Sequence, residues 1–249
     1  MNIAAPFGYP EISTLNKNQR IALSLPGEAP DFCRKLNILP ISYSEYPRAS
    51  HDYPITYISG DKGSTFSAVA LLGLQAGENL FVGNDGIWDV SAYMPAYARR
   101  YPFCMAKVRV DNEMRSERIV CVAQQSVDET NGEALFDNQG KALPRWVEME
   151  KLLYEYEADL MRSAEMCGIL KEYDLLEPFS MQASLNSGGT VQLTGMHRVA
   201  EAKLEALEAE QLRTLVKNGV MGRIYAHLLS LDNFSRLLGR KPATQPVKA

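Results

Sequence analysis

The sequence of 249 residues is short of the residues that most often mark chemistry. Its three histidines, His51, His197 and His227, lie far apart, and no His-x-Asp or His-x-Glu pair is present from which a metal site could start. The four cysteines, Cys33, Cys104, Cys121 and Cys167, form no Cys-x-x-Cys pair, so the expectation is reduced, buried thiols and neither disulfides nor zinc. There is no Gly-x-x-x-x-Gly-Lys-Ser/Thr and no Gly-x-Gly-x-x-Gly, which removes the usual phosphate-cradling loops. Without a Gly-x-Ser-x-Gly elbow, the neighbours Ser50, His51 and Asp52 are an adjacency and not a triad. Neither a metal nor a cofactor is expected.

Long apolar runs are missing too. The longest, Phe66 to Leu74, is about half the roughly 20 residues of a membrane helix. Met1 to Ile12 has no basic segment leading into an apolar one, so no signal peptide or lipidation motif is expected and the cytoplasm is the expected compartment. A net charge of −4 supplies no positive field, which disfavours nucleic acid as a partner.

What is present is an ordinary globular balance, 46% hydrophobic and 22% charged, on a chain long enough for one sizeable core. Residues 1–17 read as an irregular amino-terminal segment, 18–240 as a single domain and 241–249 as a flexible polar tail. Strand-like runs occur at Arg20 to Leu25, Ile55 to Ile58, Ser67 to Leu72, Asn79 to Val82 and Arg118 to Gln124. Asn84-Asp85-Gly86 and Asn186-Ser187-Gly188-Gly189 read as hairpin turns. The segments from Gly77 and Gly132 share Gly-Glu-x-Leu-Phe, too little to establish a duplication.

Helical spacing runs from Leu143 to Lys171 through Trp146, Leu153, Tyr156 and Leu160, with Glu148, Glu155, Glu157 and Arg162 read as its solvated face. Further helices are expected at Glu201 to Leu207, Glu208 to Val216 and Met221 to Leu238, with His227 a hydrogen-bonded core residue of the last. The fold class is therefore α+β: an antiparallel, hairpin-rich sheet in the first two-thirds, one long helix and a helical carboxy-terminal part.

Asp89 to Phe103 is the densest chemical segment. It holds Tyr93, Tyr97, Tyr101, Arg99 and Arg100 on an element that starts near Pro95 and stops before Pro102. Arginine presents a planar fork suited to carboxylate or phosphate, and tyrosine adds hydroxyl donors. Arg99, Arg100, Tyr97, Tyr93, His51 and His197 are the candidate ligand-binding residues. The competing reading makes Tyr93, Tyr97, Tyr101 and Phe103 core aromatics while Arg99 or Arg100 makes a buried ion pair.

Glu78-Asn79-Leu80-Phe81, Asp85-Gly86-x-Trp88 and Tyr93-x-Pro95-Ala96-Tyr97-x-Arg99-Arg100-Tyr101-Pro102-Phe103 resemble the core of the SapC family. Tyr53-Pro54-Ile55, Leu135-Phe136-Asp137, Gly195-x-x-Arg198-Val199 and Gly219 to Ser230 extend the resemblance over nearly the whole chain. It implies a bacterial protein with no assigned catalytic residues, encoded in the company of outer-membrane uptake receptors and amino-acid-modifying enzymes. A transporter permease shares the name, and the absence of a spanning segment here separates the two.

The resulting expectation is a non-catalytic accessory or binding protein associated with an uptake or surface-layer system or with a peptide- or amino-acid-modifying enzyme. The alternative is an enzyme or ligand-binding protein whose Arg/Tyr/His pocket takes a carboxylate-bearing small molecule or peptide. A third reading makes the helices from Leu143 and Met221 surfaces for self-association, as in a homodimer.

Overall fold

The computed structural model describes residues 3–110, 113–184 and 189–241. Among them lie ten strands: β1 (Ile12–Thr14), β2 (Arg20–Ile21), β3 (Ile38–Pro40), β4 (Ile55–Gly60), β5 (Thr65–Leu71), β6 (Phe103–Val110), β7 (Glu113–Ala123), β8 (Glu133–Ala134), β9 (Leu176–Ser184) and β10 (Thr190–Val199). The α-helices are α1 (Tyr46–Ala49), α2 (Ala96–Arg99), α3 (Pro144–Glu172), α4 (Glu201–Glu205), α5 (Ala209–Lys217), α6 (Val220–Ser230) and α7 (Asn233–Gly239). The class is α+β, and no helix among the described residues is long and apolar enough to cross a membrane.

Three antiparallel sheets form, in the orders β1-β7-β6, β3-β5-β4-β10-β9 and β2-β8. The largest is not confined to the first two-thirds of the chain: β9 and β10 follow α3 and return to pair Met196 with Ile58 and His197 with Tyr57. A bulge between Leu193 and Met196 contains Gly195 at φ +78°, a backbone shape that suits glycine. Long α3 packs against β5 and carries both cores, with Trp146 and Leu153 in a smaller cluster around Phe103 and with Tyr156, Cys167 and Leu170 in the main one.

Several expected elements form differently. Residues 1–17 are not irregular throughout, because β1 pairs with β7 and buries Ile12, while Tyr9 ahead of it enters the main core. Of Arg20 to Leu25 only Arg20–Ile21 is strand; Leu25 is exposed, beside the Pro26-Gly27 turn. Asn79 to Val82 makes a single bridge, Val82 to Trp88, since the Asn79 amide occupies the local backbone by donating to the Cys33 carbonyl and accepting from the Phe81 N–H. Gly86 turns this segment at φ +84° as its Asp-Gly pair predicts.

Met221 to Leu238 divides into α6 and α7. Ser230 Oγ donates to the His227 carbonyl at 2.5 Å and accepts from Ile55 N–H at 2.9 Å, while Asn233 Nδ2 binds the carbonyls of Ser50 and Tyr53; tertiary bonds hold the break, where the backbone tightens to bonds from Leu231 N–H to the Leu228 carbonyl and from Asp232 N–H to that of Leu229. All four cysteines are buried free thiols. The Asn186 to Gly188 turn and the tail beyond Lys241 lie outside the described residues.

Candidate functional site

Pro95 ends an extended stretch and caps α2, a single turn whose N–H groups at Ala98 and Arg99 bond the Pro95 carbonyl. Successive residues on such a turn point about 100° apart, so Tyr97 and Arg100 share one side while Arg99 faces another. The arginine-tyrosine segment thus serves two different places.

The first is a polar clamp. Glu45, buried, accepts from Tyr93 hydroxyl at 3.0 Å and from Ala96 N–H at 2.6 Å through Oε1, and from Ser42 N–H and Oγ at 2.9 and 2.7 Å through Oε2. Arg99 donates through Nε to the Met94 carbonyl at 3.0 Å and through Nη2 to the Tyr93 hydroxyl at 2.8 Å. The space beside these groups is only about 150 Å3. Tyr93 and Arg99 therefore fasten α2 to the turn before α1, with Arg99 exposed and bonded to a carbonyl and a hydroxyl instead of a buried carboxylate.

The second is a cavity of about 610 Å3, lined by residues of β3, β5, β6 and α3 and by Ala4, Pro6 and Phe7 of the amino-terminal segment. Its walls are chiefly apolar, with Ile41, Ile58, Phe66, Val69, Met105 and Leu160 among them. Arg100 belongs to this wall with 3% of its surface exposed. Its Cζ lies 4.5 Å from the ring centroid of Tyr97, 4.6 Å from that of Tyr156 and 5.3 Å from that of Tyr9.

Rings satisfy the faces of a guanidinium through their quadrupoles, whereas its five N–H groups lie in the plane and need acceptors. Arg100 Nε has no hydrogen-bond partner among the described residues. Its Nη1 stands 3.9 Å from Glu157 Oε1, outside hydrogen-bond range, and the other oxygen of Glu157 is taken by Arg118 Nη1. Two guanidiniums thus share one carboxylate, which among the described residues leaves the cavity wall with one positive charge in excess.

The surrounding phenols do not neutralise it. Burial pushes Tyr97 up to about 12 against the pull of Arg100, and burial likewise raises Tyr9 and Tyr156. Tyr97 hydroxyl donates to the Phe7 carbonyl at 2.6 Å and Tyr9 hydroxyl to that of Phe103 at 3.2 Å, so both rings are held as donors to backbone. Cys167 also lines the cavity, and burial raises its thiol to about 12.

The other candidates lie elsewhere. His51 is exposed after α1, and its carbonyl accepts from Arg236 Nη1 at 2.7 Å. His197 is on β10 with its ring 5.0 Å from Phe66, and its buried Nδ1 lacks a partner among the described residues. Only Arg100 and Tyr97 of the six candidates meet at the large cavity.

Tyr9, Arg118, Tyr156 and Glu157 are the site residues that sequence reasoning passed over. A signal existed for Glu157: it is four residues after Leu153 and three before Leu160, inside the apolar stripe of α3, and its side chain is 12% exposed. Arg118 reaches the cavity, and Tyr9 reaches Arg100, only through tertiary packing.

A family model described as SapC matches residues 17–237. No curated protein and no solved structure matches the chain. Ala4, Pro6 and Phe7, which line the cavity, and Tyr9, whose ring stands beside Arg100, precede the matched span.

Proposed function

The chain belongs to the SapC family, and we propose that it is a binding protein for a small molecule carrying one carboxylate on an apolar body, with the carboxylate seated on Arg100. The observation that carries this reading is the buried guanidinium whose Nε–H has no acceptor among the described residues, in the wall of a chiefly apolar cavity. An unsatisfied buried donor on a charged group is costly, and an incoming carboxylate satisfies it with a charge-assisted bond and supplies the missing negative charge. The volume lies within the ordinary range of ligand cavities, roughly 300–1,000 Å3. The raised thiol of Cys167 and the raised phenols support binding over nucleophilic chemistry, because none of them is ionised near neutral pH.

The test is a matched pair of ligands, decanoate and decanol, read by thermal unfolding of the wild-type protein and of Arg100→Met. At about one hundred times its Kd the acid should stabilise the wild type by about 2.7 kcal/mol, a rise in Tm of roughly 5–10 °C, and bind far more tightly than the alcohol. Arg100→Met should weaken the acid by at least about thirtyfold and leave the alcohol unchanged, which also shows that the variant keeps its cavity. Equal binding of acid and alcohol, or an acid affinity indifferent to Arg100, would overturn the reading.

A further inference from the structure

The outer face of α3 carries a row of exposed residues at alternating spacings of four and three: Val147, Lys151, Tyr154, Ala158, Met161, Glu165 and Gly168. Val147, Tyr154 and Met161 are 52%, 60% and 63% exposed, a seven-residue repeat of apolar side chains on the surface. The face covers about 30 Å of helix axis and points away from Tyr156 and Leu160, which line the cavity. A long helix whose outward stripe is apolar at this period has the form of a helix-packing seam without a partner.

We propose that this seam is closed by a second copy of the chain, α3 against α3, antiparallel about a two-fold axis at Ala158. The order of the row argues for this occupant. Read outward from Ala158 in either direction it gives one large apolar residue, then one charge, then a further apolar or small residue, and the two charges are of opposite sign. Antiparallel pairing sets Lys151 of each copy against Glu165 of the other, twice over, and places the small Ala158 where the axes cross. A parallel pair would instead set Lys151 on Lys151 and Glu165 on Glu165, at an electrostatic cost. Lys151 is free to turn, since its internal contact with Glu155 is 3.8 Å with both side chains largely exposed.

Sedimentation equilibrium of the whole chain tests the pairing with Lys151→Glu, Glu165→Lys and the double exchange. All sites are exposed, so the fold is left intact. The wild type should be a dimer; each single reversal creates two like-charge contacts and should raise the dimer Kd by about tenfold or more. The double exchange should restore the wild-type Kd, a rescue that only an antiparallel pairing of these positions produces. A monomeric wild type, a dimer unaffected by the single reversals, such as one built on the exposed Val216, Tyr225 and Leu229, or a failure of the double exchange to rescue overturns the proposal.

Discussion

Buried polar groups divide into those with internal partners and those without, and His227 belongs firmly to the first kind. Its Nδ1 lies 2.7 Å from the Ile55 carbonyl and its Nε2 accepts from Val199 N–H at 3.1 Å, which assigns the proton to Nδ1. Burial holds its pKa down at about 4, outweighing the bond to Ile55 that raises it, with a small further lowering by Arg198. The unfolded chain binds a proton near pH 6.5 that the folded chain refuses until about pH 4, so the contribution to stability is complete above pH 6.5 and is lost as pH falls through that window. The loss is about 3 kcal/mol at the acid end. Urea unfolding at pH 7 and at pH 4 should show this decline, and His227→Leu should be less stable at pH 7 by about 2–4 kcal/mol while losing that part of the pH dependence. Asp89, whose bonds from Ser91 and Arg240 hold its carboxyl at about 2, acts in a separate window below pH 4. His227 was legible in sequence as a polar residue on an apolar helix face. Arg100 was legible only in part, since its neighbour Arg99 has the same local context and a different environment.

Turns of similar sequence can be built for different reasons. Gly77 and Gly132 head the same short pattern, Gly-Glu-x-Leu-Phe. Gly77 has φ +84° and open space at the position of a side chain, so an alanine there meets only backbone strain. At Gly132 a Cβ would stand 2.4 Å from the Asp128 carbonyl oxygen, which accepts the Gly132 N–H, and 2.7 Å from Ile21 N of β2, both backbone atoms. Gly77→Ala should cost about 1 kcal/mol and Gly132→Ala about 2–4 kcal/mol, compared by denaturant midpoints at equal m-value. The two glycines therefore differ in surroundings, although both segments lead into turns with the same backbone bonds, Gly83 N–H to the Ile87 carbonyl and Gly86 N–H to that of Gly83 in one, Asp137 N–H to the Lys141 carbonyl and Gly140 N–H to that of Asp137 in the other. Helical spacing did reveal α3, α4 and α5, and short apolar or β-branched runs revealed β4, β5 and the end of β7. It missed the break between α6 and α7, where the deciding bonds come from Ile55, Ser50 and Tyr53, some 180 residues away in the chain.

The cavity is a property of the whole molecule. Its wall joins the amino-terminal segment, two sheets and α3, and its charge balance depends on Arg100, Arg118 and Glu157 from three separate stretches. Sequence shows the arginine fork; it does not show which carboxylate is left to meet it. A guanidinium kept short of acceptors is a standing cost to the fold, of the kind retained where a ligand is to be received. The measurement that reaches this claim most directly is the NMR signal of the Arg100 Nε–H, identified by its loss in Arg100→Met, during titration with decanoate and with decanol. The account predicts a downfield proton shift with the acid alone, as the orphan donor gains a carboxylate oxygen. An Nε–H signal that stays put while the cavity's Phe66 and Met105 respond to the acid would contradict it.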